Sequence, residues 1–134
     1  MDKETSDAFQ ESYRRCPQKR GFLDRFYEIF LGASEEVREI FAQTDFLKQI
    51  RLLKASFLMM LQASFDDLEG QEHMEALARL HSREELGIRL GLYELWLDSL
   101  IQAVREADPR FDPQVEDAWR STLKPGIEFM KARY

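Results

Sequence analysis

The chain has 134 residues, 44% of them hydrophobic and 33% charged, a balance that suits one folded domain burying about two-thirds of its unfolded surface and argues against disorder or two cores. Nineteen Lys and Arg against 25 Asp and Glu leave a net charge of -6, so long-range attraction to nucleic acid or anionic lipid is not expected. Cys16 is the single cysteine, which excludes an internal disulfide and a multi-thiolate metal site and makes a reducing compartment the simplest home. The opening MDKETSDAFQ lacks the apolar core of a signal peptide, and no run approaches the roughly 18 consecutive apolar residues of a membrane span. The expectation is a single domain over residues 1–134, cytoplasmic, with no membrane or nucleic-acid partner.

Four prolines and six glycines punctuate the sequence, and the apolar residues between them recur every three or four positions, the mark of an all-α protein. Near the start, Arg14-Arg15 and Lys19-Arg20 read as the solvated edge of a helix. Phe22, Leu23, Phe26, Tyr27 and Phe30 give the next helix, which Gly32 can end. Ser34 followed by Glu35 and Glu36 has the pattern of an N-cap with acidic residues at the positive end of a short helix. From about Asp45 to Leu68, Phe46, Ile50, Leu53, Phe57, Leu61 and Phe65 form one continuous face, and Gly70 offers a stop. Met74, Leu77 and His81 share a face of a further helix, and Tyr93, Trp96, Leu97, Leu100 and Val104 a face of the one after it. Asp112-Pro113 starts the final helix, whose stripe of Val115, Trp119, Leu123, Ile127 and Met130 is crossed by a bend-inducing Pro125.

Familiar catalytic patterns are missing. A di-iron carboxylate bundle needs Glu-x-x-His pairs, but Gly70 stands three residues before His73 and Ala78 three before His81. The sequence has no HExxH zinc helix, no glycine-rich phosphate loop and no GxSxG elbow. Attention therefore falls on His81, a histidine where an apolar stripe should continue. Two readings stand. In one, its ring spans the core edge and donates an N–H to a carbonyl. In the other, one nitrogen coordinates a metal while the second donates to a carbonyl of the preceding turn, with Leu77 as the candidate. A lone histidine cannot hold free zinc, which wants four ligands, but it can hold an iron whose equatorial ligands come from a porphyrin. Ten Phe, five Met and two Trp would supply walls for such a macrocycle, or simply a core.

LARLHSREELGI followed by LYELWLDSLIQAV resembles the proximal helix, its turn and the next helix of the globins, most closely the single-domain bacterial globins and the globin domain of flavohaemoglobins. FYEIFLGASEEVREIF, residues 26 to 41, resembles the second and third globin helices ending in the phenylalanine that packs flat on the haem, here Phe41. DFLKQIRLL, residues 45 to 53, resembles the start of the distal helix. The interval from Gln49 to His81 is 32 residues, close to globin spacing. The likeness covers roughly residues 20 to 130, and the loop between Phe41 and Gln49 is shorter than in vertebrate globins.

The resemblance implies an all-α globin fold of seven or eight helices around one haem b (iron protoporphyrin IX), without thioether links since no CxxCH occurs. It implies His81 as the proximal iron ligand of a five-coordinate iron, Phe41, Leu53, Leu77, Ile88 and Tyr93 as cofactor contacts, and Arg51 or Arg83 beside the propionates. Tyr27, Gln49 and Leu53 would form the distal pocket for O2, and also for CO or NO. What such binding would serve stays open among storage, sensing and NO dioxygenation with a separate reductase; a homodimer is a further option. The alternative is a haem-free globin-like regulatory or interaction domain in which His81 is merely buried.

Overall fold

The computed structural model describes residues 2–16, 21–64, 72, 75–76, 78–79 and 90–132, with the side chains of 56–64 excepted. Six helices stand among the described residues: α1 (Lys3–Arg15), α2 (Phe22–Ala33), α3 (Glu35–Ile40), α4 (Phe46–Ser64), α5 (Gly91–Ala107) and α6 (Pro113–Ala132). Residues 72, 75–76 and 78–79 are helical as well. None of the helices, among the described residues, is long and apolar enough to cross a membrane. The all-α expectation holds.

The helix ends follow local chemistry. Asp2 starts α1 by accepting the Thr5 amide at 2.7 Å, and Asp112 starts α6 by accepting the Val115 amide at 2.8 Å, with Pro113 at the first helical position. Gly21 precedes α2 at φ 84°, a left-handed conformation that a side chain would strain by about 1 kcal/mol or more. Ser34 separates α2 from α3: its backbone is extended, and its hydroxyl accepts the Glu36 amide at 3.1 Å. The expected stop at Gly32 is therefore displaced. The helix runs through Gly32 to Ala33, because a residue that ends one helix and caps the next is a stronger terminator than a glycine in the last turn. Pro125 lies inside α6, which continues past it.

Packing brings α2 against α5 and α3, α1 against α6, and α4 and α5 also against α6. Where side chains are described, the predicted faces are the buried ones; the Met74, Leu77 and His81 face lies outside the described residues. Phe22, Leu23, Phe26, Tyr27 and Phe30 of α2, Leu97, Leu100 and Val104 of α5, and the whole Val115-to-Met130 stripe of α6 lie in the core. Phe46 and Ile50 of α4 pack on it and Leu53 joins it; Phe57, Leu61 and Phe65 lie outside the described side chains.

Beneath this apolar packing sits a polar junction that fastens α1 to the corner between α5 and α6. Asp108, whose side chain is 0% exposed, ends α5. It accepts Arg15 Nε at 2.6 Å, Arg15 Nη2 at 2.9 Å, the Ser12 hydroxyl at 2.6 Å and the Arg110 amide at 2.9 Å. Trp119 of α6 donates its indole N–H to Ser12 Oγ at 2.8 Å and meets the Phe9 ring edge-on at 4.8 Å. Burial alone would push the Asp108 carboxyl up, but the bonds from Arg15, Ser12 and the Arg110 amide hold it below its ordinary value. This junction corrects the reading of the first basic group: Arg14 is exposed, but Arg15 is an anchor for a buried carboxylate. Lys19-Arg20 lies outside the described residues.

Candidate functional site

Three short elements converge on one aromatic cluster. In α2, Phe26, Tyr27 and Phe30 point inward. Directly after α3 the chain turns, the Thr44 amide donating to the Phe41 carbonyl at 3.1 Å. Asp45 then opens α4 by accepting the Leu47 and Lys48 amides at 3.1 and 3.3 Å. This compact turn delivers two rings to one place: Phe41 and Phe46 stand 6.0 Å apart. Tyr27 lies against both, at 5.9 Å from Phe41 and 5.3 Å from Phe46, each edge-on, and at 4.8 Å from Phe26. Phe30 adds its ring at 6.0 Å from Phe41. Edge-to-face contacts at these separations are the favoured aromatic geometry and fix ring orientation as well as burying area.

Tyr27 is only 4% exposed, and one polar side chain stands beside its hydroxyl. The side chain of Gln49, one turn into α4 and half-buried, stands near enough to the phenol to favour its ionised form. Two opposing effects act on that group: burial raises its pKa, the Gln49 side chain lowers it, and burial wins, so the phenol is pushed up to about 12. At neutral pH it is a protonated donor in a dry, aromatic setting. Its described neighbours carry no charge.

The two residues expected on the distal side, Tyr27 and Gln49, are thus brought together, although 22 positions separate them in the chain. Leu53, one turn beyond Gln49, is 7% exposed and belongs to the same core. Phe41 is half-buried and ringed by Tyr27, Phe30 and Phe46. Tyr93, in the first turn of α5, is 8% exposed. His81, Leu77, Ile88 and Arg83 lie outside the described residues, and Arg51 is exposed. Phe46 was legible only as part of the apolar face of α4; its spacing of three from Gln49 was the signal that it shares that residue's side of the helix.

Neither a family model nor a curated protein matches the chain. The fold, in contrast, agrees with the crystal structure of a protein from Pseudomonas aeruginosa PAO1 described as structurally highly homologous to a human hemoglobin, with a TM-score of 0.91. The two sequences are 38% identical over 97% of this chain and 98% of that one. An all-helical fold of this order with a near-complete relative at that identity places the chain in a family: it belongs to the globins.

Proposed function

We propose that this globin carries one haem b and reversibly binds a diatomic gas, O2 first and also CO or NO, with His81 as the proximal iron ligand. The observation that carries the reading is the buried Tyr27, with the half-buried Gln49 beside it, inside an aromatic shell. The side chains fit the group by their chemistry. Phe41, Leu53 and Tyr93 offer mostly carbon surface to a flat apolar macrocycle, and Tyr27 with Gln49 supplies a polar corner for a small ligand. Leu77 and Ile88 would complete the contacts.

Haem, when bound, supplies an iron at which a diatomic gas attaches reversibly. The protein supplies selectivity. A phenol kept neutral by burial donates a hydrogen bond to a ligand that carries partial negative charge, as O2 would, and does little for a nearly apolar one such as CO. Gln49, beside that phenol, is placed to orient it. A hydrogen bond to a charged acceptor in a dry site contributes about 1.5 to 3 kcal/mol, roughly ten- to a hundredfold in affinity.

The decisive experiment is the absorption spectrum of the purified protein, as isolated and after titration with haem. A ligated-haem band that shifts on reduction and on exposure to CO is the expected result, and His81→Ala should weaken haem retention strongly. A protein whose spectrum shows only free haem overturns the proposal and leaves a haem-free interaction domain as the function.

A further inference from the structure

Tyr27 is 4% exposed, but two of the rings that surround it, Phe41 and Phe46, are only half-buried. These two rings therefore reach from the buried Tyr27 toward solvent. Phe46 is the outer member in sequence terms: it is the first residue of α4, preceded by the exposed Asp45 and followed by Leu47, which is 74% exposed. It also stands three residues before Gln49, so one turn of α4 brings both the Phe46 ring and the Gln49 side chain to Tyr27.

We propose that Phe46 is a positioning residue that shields the Tyr27 hydroxyl from water and fixes the ring so that the hydroxyl meets Gln49. The physical reason is that an edge-on contact at 5.3 Å, inclined 62°, restricts the tilt of the tyrosine ring, and the same phenyl group, half-buried at the first position of α4, adds apolar bulk beside it. A smaller side chain leaves room for water beside the phenol. Water then solvates the phenolate and competes with Gln49 for the phenol. The role in gas selectivity rests on the haem reading above; the shielding itself does not.

The test is the ionisation of Tyr27, followed by ultraviolet difference absorbance between each protein and its Tyr27→Phe counterpart, with far-ultraviolet circular dichroism recording the fold at every pH. In the parent protein Tyr27 should stay un-ionised at pH 11. In Phe46→Ala its acid dissociation constant should rise at least tenfold, so that it ionises near the ordinary tyrosine range while the helices persist. Phe46→Leu keeps an apolar group at the start of α4 and should give a smaller rise in the same direction; it decides the matter if Phe46→Ala does not fold. Leu47→Ala, next to it but facing solvent, should leave Tyr27 unchanged. A folded Phe46 variant in which Tyr27 ionises as in the parent overturns the proposal. With haem present, the same variants should release O2 faster and CO at nearly the parent rate. A protein that takes up no haem would refute the gas-binding function while leaving the Tyr27 titration as a complete test of the shield.

Discussion

Replacing Asp108 with Ala should be among the most damaging single changes in this chain. The substitution removes a carboxylate with no exposed surface that accepts four hydrogen bonds, two from Arg15 and one each from Ser12 and the Arg110 amide. It leaves the Arg15 guanidinium without its partner and the Ser12 hydroxyl, which also accepts from Trp119, without its acceptor. Breaking a buried ion pair from one side costs about 3 to 5 kcal/mol. The Arg15 side chain is 25% exposed and can turn toward water, so the lower end, about 3 kcal/mol, is the expected loss. For a chain of this size, that corresponds to a fall of roughly 9 to 15 °C in Tm. Thermal and urea unfolding followed at 222 nm measure it directly. The pH dependence supplies a second check. The carboxyl is held below its ordinary 3.8 in the folded protein, so its stabilisation is present above that value and is lost as pH falls below it. The gap between parent and Asp108→Ala should be full at pH 7 and shrink below about pH 4. A loss under about 1 kcal/mol at pH 7, the size of an ordinary surface change, would refute the assignment of this junction as an anchor.

Tyr27→Phe keeps the ring and deletes the hydroxyl; O2 should dissociate from the haem-loaded protein at least about tenfold faster while CO release changes far less, and stopped-flow exchange would show it. The same residue predicts alkaline behaviour: its pKa is raised from 10.0 to about 12 in the folded protein, so the stability of the neutral phenol is intact below pH 10 and is lost as pH climbs through 12. Urea unfolding across that range should weaken by about 2 to 3 kcal/mol more in the parent than in Tyr27→Phe.

Helical spacing made the inner faces readable residue by residue, because each element buries a stripe and the stripe of α6 in particular repeats cleanly from Val115 to Met130. Ser34 and Asp112 were readable as caps for the same local reason: their oxygens bond amides two or three residues away. The pairing of Tyr27 with Gln49 came from the globin likeness, since periodicity alone assigns Tyr27 to the core. Arg15 was misread. Its partner is 93 residues distant, and nothing around an arginine near the end of a helix announces a buried acid that far along the chain. The Ser12–Trp119 bond escaped notice for the same reason, although Ser12 lies between Phe9 and Cys16 at helical spacing and so marks a polar atom on a buried face. Gly32 misled in the opposite way, because a plausible local stop lost to a better one two residues later.

The junction around Asp108 also has a bearing on the order in which the molecule is made. Ser12 bonds Asp108 and Trp119 across 96 and 107 intervening steps of sequence. At synthesis rates of about 5 to 20 residues per second, roughly 5 to 20 s separate the emergence of α1 from that of its partners. In that interval the 13-residue α1 is too short to hold helical form alone, isolated helices of about 12 to 15 residues being marginal in water. The face that carries Phe9, Ser12 and Cys16 stays wet until α6 arrives. Burial of the Cys16 thiol, complete in the finished fold, is then a clock: pulses of a thiol reagent during refolding should label Cys16 until the junction closes, and the time at which labelling ceases dates the docking of the first helix onto the last.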